Sequence, residues 1–310
     1  MNLLRGEIVL KVLVGSRGSR LALAQTGWVI DRLKSFNADV EFEIRVIKTK
    51  GDKITEVALD KIGDKGLFVK EIEEELLNGG IDIAVHSMKD IPSMLPEGLI
   101  FAATPKREDY RDVLVLNDGI KSLMDIPVGG KIGTGSKRRK YQLLKLRPDL
   151  DIVSIRGNVE TRIRKMYEQN LQGIVLAGAG LKRLGLEDKI SYYLSIEEML
   201  PAPAQGALAI EIRRDDKVIE EMIHKIKDEY TEVQVRAERM FLNNLNGSCQ
   251  VPVGAVCIIE DDKLILHGLF GSEDGSVIIR KTMEGKVGEE RELGRKLAVS
   301  ILSEVEESER

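Results

Sequence analysis

The sequence is poor in cysteine and contains no long apolar run, and each shortage excludes a class of protein. Two cysteines occur among the 310 residues, which is too few for a disulfide framework and indicates a reduced compartment. No segment approaches the ~18 uninterrupted apolar residues of a membrane span. Charge interrupts the apolar run between Met1 and Glu7 too early for a signal peptide. We therefore expect a cytoplasmic protein without a membrane partner.

An excess of positive charge is also missing. The net charge is −4 and the isoelectric point is about 5.7, so nothing in the overall balance indicates nucleic-acid binding. The hydrophobic share of 43% and the charged share of 32% are normal for a soluble globular protein. At roughly 100 to 150 residues per domain, a chain of this length predicts two or three domains. Any cluster of arginines must be local, which makes its position informative.

Strand, polar turn and helix recur along the first two thirds of the chain, which predicts an α/β fold with doubly wound sheets. Strands are expected over residues 8–14, 40–47, 81–85, 112–116, 151–155, 173–177 and 207–212. The remainder has a different pattern, with a helix over 231–246, three strands over 253–259, 263–268 and 276–281, and a helix over 288–304. That order predicts a small α+β domain with three strands at the C-terminal end.

One short stretch, residues 85–92, combines ionisable side chains with the end of a predicted buried strand. His86, Ser87, Lys89 and Asp90 follow that strand, and Pro92 ends any regular structure after them. Open α/β sheets place ligand sites at such strand ends. The alternative is a capped turn, in which Ser87 and Asp90 accept from backbone donors and Lys89 is solvated.

Arginines are concentrated where strands give way to helices. Arg17, Arg138, Arg139, Arg156 and Arg183 lie at or near such junctions, and Arg20 and Arg162 lie in the first turns that follow. A cation at a helix N-terminus opposes the helix dipole, at a cost of about 0.3–1 kcal/mol where it is exposed. A bound carboxylate or phosphate would remove that conflict. The alternative is a set of solvated charges that the fold tolerates.

The carboxylate of Asp90 would be held ionised beside such cations. A fixed carboxylate in a positive cleft can stabilise a developing cation in the substrate and can pass protons. Cys257 lies in an apolar strand and is predicted to belong to the core. Cys249 lies in a loop with small neighbours and without a histidine close in sequence, so a reactive role for it stays open. The polar, glycine-punctuated segment 48–66 is either a functional lid or disordered, and we favour the lid.

Several stretches, in order, resemble the porphobilinogen deaminase (hydroxymethylbilane synthase) family. They are Gly15-Ser16-Arg17 with Leu21-Ala22, Lys65-Gly66-Leu67-Phe68, His86-Ser87-Met88-Lys89-Asp90, Gly133-Thr134 with Ser136 and Arg138-Arg139, Arg156-Gly157-Asn158-Val159 with Arg162, Leu181-Lys182-Arg183-Leu184, Gln205-Gly206-Ala207 and Cys249-Gln250-Val251-Pro252. The resemblance covers about residues 8–270. So many motifs in the same order identify the chain as similar to this family.

The resemblance implies a transferase. The family joins four porphobilinogen molecules head to tail and releases ammonia, giving the linear hydroxymethylbilane of haem biosynthesis. By the same resemblance, Asp90 is the catalytic aspartate, and Cys249 holds one dipyrromethane cofactor through a thioether. The cofactor-binding set would also include Lys89, Arg138, Arg139, Arg162, Arg183, Ser136, Thr134, Ser87 and Gly206. The substrate-binding set would be Arg17, Ser19, Arg156, Gln205, Lys61 and Lys65, and no metal is expected.

The fold that the resemblance implies has three domains, and the protein would be a monomer. Residues 1–105 and 201–225 would form a discontinuous first domain, 106–200 the second, and 226–310 the third. The first two would resemble the halves of a type II periplasmic binding protein. Ala204 and Ser248 depart from the family, which often has glycine at both positions.

Two other functions remain as alternatives. A two-lobed carboxylate or anion receptor without catalysis would explain the arginines, although it gives no role to Cys249. A cysteine enzyme would use the Cys249 thiol as a transient nucleophile.

Overall fold

The computed structural model describes residues 10–53, 69–92, 95–245 and 251–308. The strands in chain order are β1 (Leu10–Ser16), β2 (Val40–Val46), β3 (Ile83–Ser87), β4 (Leu99–Ala103), β5 (Asp112–Leu116), β6 (Lys131–Gly133), β7 (Asp151–Val153), β8 (Gly173–Ala177), β9 (Tyr192–Tyr193), β10 (Leu208–Arg213), β11 (Val253–Glu260), β12 (Lys263–Gly271) and β13 (Ile278–Lys286). The helices are α1 (Arg20–Lys34), α2 (Lys50–Lys53), α3 (Lys70–Leu77), α4 (Lys137–Leu146), α5 (Val159–Glu168), α6 (Gly178–Arg183), α7 (Lys217–His224), α8 (Glu229–Asn244) and α9 (Glu290–Ser308). Within those ranges, no helix combines the length and the apolar character that a membrane crossing needs.

The first two sheets have the same plan. Their strand orders are β2-β1-β3-β10-β4 and β7-β6-β8-β5-β9. In each sheet the first three strands are parallel, and the fourth is antiparallel to both of its neighbours. That fourth strand, β10 or β5, is the first strand that the chain forms after it crosses from the other sheet. The two crossing segments, 104–111 and 194–207, therefore run side by side between the sheets.

Short turns connect the parallel strands to helices, and polar side chains begin those helices. Ser19 caps α1, Ser136 caps α4 and Asn158 caps α5, each by accepting a hydrogen bond from the backbone three residues on. Such caps satisfy one of the orphan N–H groups at a helix start. Because β1, β6 and β7 each end just before one of these caps, the three helix N-termini lie at the carboxyl edges of the sheets, where an α/β fold binds ligands.

The third sheet is a three-stranded antiparallel meander, β11-β12-β13, covered by α8 and α9. Phe241, Leu266 and Leu297 are fully buried between these layers. Cys257 lies in the same core, which confirms the structural assignment of that thiol. The two mixed α/β sheets and this small α+β unit confirm the predicted fold class.

Several elements differ from the sequence expectation. The strands β4, β6 and β9 were not predicted, because runs of two to five residues have little periodicity to detect. The eight-residue helix α7 was not predicted either. The hairpin strand β13 is longer than expected and continues to Lys286. Within the polar segment 48–66, residues 50–53 form the short helix α2, and the part beyond residue 53 lies outside the described residues.

Candidate active site

The turn that carries Lys89 and Asp90 is a single turn of 3-10 helix, Met88–Asp90, directly after β3. The Met88 N–H donates to the Ala207 carbonyl at 3.0 Å, so β10 holds the start of the turn. Met88 is buried, whereas the Asp90 carboxylate is exposed. The backbone just before β10 therefore holds the start of this turn, and the Asp90 side chain is accessible to ligands.

A small cavity lies between this turn and the start of α1. Its lining includes Arg17, Ser19, Gln25, Ser87 and Asp90. The Ser87 hydroxyl and the Gln25 side-chain amide are hydrogen-bonded at 2.9 Å, which fixes the wall opposite the helix N-terminus. The Arg17 guanidinium binds the Asp52 carboxylate at 2.6 Å. This cavity brings together four of the predicted site residues, Arg17, Ser19, Ser87 and Asp90.

Lys89 points the other way along the turn, toward the second sheet. Its ammonium donates to the Gln205 side-chain oxygen at 3.3 Å. Burial lowers the pKa of Lys89 to about 8; the Asp90 charge opposes that shift, whereas the charges of Arg139 and Arg138 add to it. A cation whose charge is this poorly compensated gains more than usual from an anionic ligand.

Asp112, the first residue of β5, organises the two neighbouring arginines. Its carboxylate accepts from Arg138 at 2.6 Å and from Arg139 at 2.7 Å, and all three side chains are buried. The Gln205 amide donates to the same carboxylate at 3.0 Å. Burial alone would raise the pKa of Asp112, but the two guanidinium groups reverse the direction and hold it well below its usual range. Arg138 also donates to the Leu200 carbonyl.

The second crossing segment supplies the links between the sheets. Gln205 is fully buried and bonds Lys89 on one side and Asp112 on the other. Gly206 follows with φ +88°, and a Cβ there would lie 2.4 Å from the Glu108 carbonyl oxygen, so only glycine fits. The Arg183 guanidinium donates to the Gly206 carbonyl at 2.7 Å. Burial lowers the pKa of Arg183 to about 10, and Glu108 opposes that shift.

Arg162 extends this positive region toward Asp90. It lies in the first turns of α5 and donates to the Gly157 carbonyl at 2.7 Å. Burial lowers the pKa of Arg162 to about 10, and the charges of Arg139 and Arg156 add to the shift, whereas Asp90 opposes it. The Asp90 charge thus acts on cations from both sheets, Lys89 of the first and Arg162 of the second. We call Lys89, Asp90, Arg139, Arg156 and Arg162 the cleft residues.

Two further contacts shape the edge of the site. Arg20 and Glu160, in the first turns of α1 and α5, form an ion pair that joins the helices of the two sheets. The buried Thr134 hydroxyl accepts from the Ser136 N–H at 3.2 Å and so shapes the turn before α4. Three predicted site residues, Lys61, Lys65 and Cys249, lie outside the described residues.

Sequence reasoning missed three residues that hold the site, Asp112, Glu238 and Arg239. Glu238 is fully buried in α8, where it accepts two hydrogen bonds from Arg107, at 2.6 and 3.0 Å. It also accepts from the backbone N–H groups of Ala204 and Cys257. The signal was present, because Glu238 lies three residues from both Val235 and Phe241 on the buried face of the helix.

The arrangement can bind a ligand with several carboxylate or phosphate groups beside an exposed carboxylate. Half-buried guanidinium groups, a lysine of lowered pKa and three capped helix N-termini all favour anions. Among the residues that the structure describes, no three His, Cys, Asp or Glu side chains are arranged to hold a metal ion.

Comparison with known proteins places the whole chain in one group. Two family models match it: "Porphobilinogen deaminase, dipyromethane cofactor binding domain" over residues 12–221, and "Porphobilinogen deaminase, C-terminal domain" over residues 233–303. The porphobilinogen deaminase of Clostridioides difficile (strain 630) is 59% identical over 300 residues, which are 97% of this chain and 100% of the relative. That of Clostridium novyi (strain NT) is 56% identical over 299 residues, covering 96% and 100%. The solved structure of the methionine-binding protein MetQ covers 72% of this chain and 92% of its own, at 12% identity and a TM-score of 0.44.

Proposed function

Because the chain belongs to the porphobilinogen deaminase family, we propose that the cleft residues form its active site. The function of that family is hydroxymethylbilane synthesis in the tetrapyrrole pathway, with a dipyrromethane cofactor. We propose transferase chemistry in which a carbon–carbon bond forms between pyrroles as ammonia leaves. The observation that carries the proposal is the exposed carboxylate of Asp90 beside Lys89 and Arg162, both of which have a lowered pKa.

Carboxylate binding is the first task of the site. Each pyrrole of substrate and cofactor carries an acetate and a propionate, so a chain of pyrroles needs many cations. The residues proposed for the substrate are Arg17, Ser19, Arg156, Gln205, Lys61 and Lys65. Those proposed for the cofactor, besides Cys249, are Lys89, Arg138, Arg139, Arg162, Arg183, Ser136, Thr134, Ser87 and Gly206. Bidentate guanidinium contacts suit carboxylates in both sets.

The arginines of these sets have different capacities. Arg138 and Arg139 are buried and already bind Asp112, so only their remaining N–H groups can serve a ligand. Arg162 and Arg183 are half-buried and each donates to a single backbone carbonyl in the described contacts. We therefore propose that Arg162 and Arg183 contribute most of the direct binding, while Asp112 fixes the orientation of the other two.

The donor set of the cleft fits a dipyrromethane. Burial and mutual repulsion lower the pKa of Lys89 and Arg162, and the four carboxylates of a dipyrromethane would reverse both effects. When bound through a thioether to Cys249, this group supplies the pyrrole carbon to which the first substrate is joined. The residues of the cleft hold its side chains and keep the growing end near Asp90.

Asp90 carries out the second task. Positive charge develops on the substrate as ammonia leaves, and the exposed Asp90 carboxylate opposes that charge at short range. The same oxygen atoms can accept the proton that a pyrrole carbon loses after bond formation. The Asp90 charge in turn opposes the lowering of the pKa of Lys89 and of Arg162.

We also propose that the enzyme acts as a monomer in the cytoplasm. The two cysteines suit a reduced compartment. The family resemblance implies the monomer.

Intact mass spectrometry of the natively purified protein tests the proposed function. The expected result is a mass above that of the bare chain by two linked pyrrole units, absent from Cys249→Ser. A bare chain after native purification would instead favour the receptor without catalysis. Lasting occupancy of the Cys249 thiol would argue against a transient nucleophile.

Substitution of the proposed catalytic group gives a second test. Asp90→Ala should keep the fold and the added mass of loaded protein but lose at least about a hundredfold in turnover of porphobilinogen, as for loss of a group that stabilises developing charge. Asp118→Ala, which removes an exposed carboxylate from a turn after β5, is the matched control and should be fully active. Near-normal hydroxymethylbilane formation by Asp90→Ala would contradict the assignment.

A further inference from the structure

One side chain of helix α8, that of Arg239, hydrogen-bonds the turn that carries Asp90. The Arg239 guanidinium donates to the carbonyl of Pro92 at 2.7 Å, to that of Met88 at 3.3 Å and to that of Ile91 at 3.4 Å. Its central carbon also lies 5.5 Å from the centre of the Phe101 ring on β4. One cation therefore binds three carbonyl groups that flank Lys89 and Asp90.

The charge of Arg239 is compensated in an unusual way. Burial lowers the pKa of this guanidinium, and in the described part of the chain no carboxylate forms an ion pair with it. Backbone dipoles and the aromatic face take the place of a carboxylate. A half-buried cation without an acid partner is costly for stability. The contacts of Arg239 are better explained by a role in holding the Asp90 turn than by a contribution to folding.

The position of Arg239 in the chain places its contact with the Asp90 turn beside other contacts that helix α8 makes. Its neighbour Glu238 binds Arg107 of the first crossing segment and the Ala204 N–H of the second. The same helix ends at Asn244, shortly before Cys249. Consecutive residues of α8 thus bind both crossing segments and the Asp90 turn, and the chain then continues to the proposed attachment point of the cofactor.

We propose that Arg239 is a positioning residue for the reaction, which fixes the Asp90 turn relative to α8. This inference rests on the proposed function, because it assigns Arg239 a role through Asp90. The turn itself is short and is held by few other bonds, chiefly the Met88 N–H to Ala207 and the Ile91 N–H to Met88. Without the guanidinium, the carbonyls of Ile91 and Pro92 lose the Arg239 donor, that of Met88 keeps only the Ile91 N–H, and Asp90 loses its fixed distance to the substrate.

The kinetic consequence should fall on the chemical step. A displacement of about 1 Å at a reacting group can cost about a hundredfold in rate. Substrate affinity depends on the carboxylate-binding arginines, which Arg239 does not contact. The Arg239→Gln variant should therefore lose about tenfold to a hundredfold in kcat per dipyrromethane-loaded molecule, with KM within about threefold of wild type.

Hydrogen–deuterium exchange gives a readout that does not depend on activity. In Arg239→Gln the amides of Met88 and Ile91 should exchange at least about tenfold faster, while those of β3 and of the third sheet stay protected. Arg239→Lys should recover part of the rate, since one ammonium can still donate to the Pro92 carbonyl. The matched control is Arg236→Gln on the same helix, because Arg236 is exposed and, among the described residues, pairs with Glu232 and Glu290, at 3.8 and 3.6 Å.

Three outcomes decide between the possibilities. Wild-type kcat and unchanged exchange in Arg239→Gln would overturn the inference. A loss of protection spread over the whole protein, or equal losses in Arg239→Gln and Arg236→Gln, would also overturn it, because it would indicate a general structural role. Asp90→Ala, measured in parallel, keeps the two proposals separate. If Asp90→Ala is active, the proposed function fails, whereas an inactive Asp90→Ala with a normal Arg239→Gln contradicts only the positioning role.

Discussion

The two strands that run antiparallel within the first two sheets each carry a buried acid, and the two acids have opposite surroundings. Asp112 on β5 binds two guanidinium groups and the Gln205 amide. Glu211 on β10 places one oxygen 3.1 Å from the His86 ring nitrogen. Its other oxygen is buried and finds no hydrogen-bond partner among the described residues. Equivalent strands of the two sheets therefore hold, at different positions along their length, a saturated carboxylate and an under-satisfied one.

Neighbouring charges widen this difference. Arg138 and Arg139 hold the pKa of Asp112 well below its usual range, against the effect of burial. Glu211 instead lies near a second acid, Glu73 on α3, whose pKa is raised first by its own burial and then by the Glu211 charge. Asp112 thus has two guanidinium partners, whereas Glu211, on the strand next to β3, has none among the described residues.

Among the substitutions that test this comparison, Asp112→Asn should have the largest effect on stability. It removes the carboxylate that binds two buried guanidinium groups, so the free energy of unfolding should fall by about 3–5 kcal/mol. Turnover of the folded fraction should fall as well, because Arg138 and Arg139 lose the acid that orients them. Urea denaturation and steady-state kinetics measure the two effects.

A half-exposed ion pair provides the control for that loss. Asp149 binds Arg147 at 2.6 Å, and its side chain is 29% exposed. Asp149→Asn should lower the free energy of unfolding much less than Asp112→Asn does, since solvent screens such pairs. Similar losses in Asp112→Asn and Asp149→Asn would show that burial of the network does not set its strength.

Much of the fold could be predicted because local signals repeat. Alternating apolar residues, glycine turns and the capping residues Ser19, Ser136 and Asn158 mark where strands end and helices begin. The sheet order could not be read from residue patterns, since periodicity does not say which strands pair. The return of β10 into the first sheet came from the family resemblance, and short strands such as β6 gave no periodic signal.

The residues of the candidate site also differ in whether the sequence could reveal them. The sequence singled out the arginines because cations at helix N-termini oppose the helix dipole, and Asp90 because ionisable side chains follow a predicted buried strand. Asp112, Glu238 and Arg239 were missed because their partners are distant in sequence, 131 positions in the case of Arg107 and Glu238. The departure at Ala204 was noticed, and the structure gives it φ +59°, a left-handed conformation that normally favours glycine. The role of Cys249 stays a prediction, since it lies outside the described residues.

Glu211→Gln applies the same chemical change to the other buried acid and should have a much smaller effect. The amide is nearly isosteric and can still hydrogen-bond His86, and it removes a buried charge that faces Glu73. The free energy of unfolding should change by less than about 1 kcal/mol in either direction, in line with the small cost of neutralising a poorly compensated charge. A loss as large as that of Asp112→Asn would mean that the Glu211 charge is compensated after all.

Glu73→Gln tests the smallest effect, which depends on pH. The folded-state pKa of Glu73 is raised, so the folded protein binds this proton more tightly than the unfolded chain does. That contribution to stability is fully present below the unfolded pKa of about 4.3 and is lost as pH rises through the raised folded pKa. The glutamine mimics the protonated acid.

Its Tm should therefore match wild type near pH 4 and exceed it increasingly toward pH 7, as measured by calorimetry across that range. Glu74→Gln, one residue along α3 and exposed, should show the trend only weakly, because the Glu74 charge is a minor cause of the raised pKa of Glu73. The advantage of Glu73→Gln should shrink without vanishing in a Glu211→Gln background, because burial is the larger cause of the shift and the Glu211 charge the smaller. A constant offset at all pH values would instead place the effect in packing.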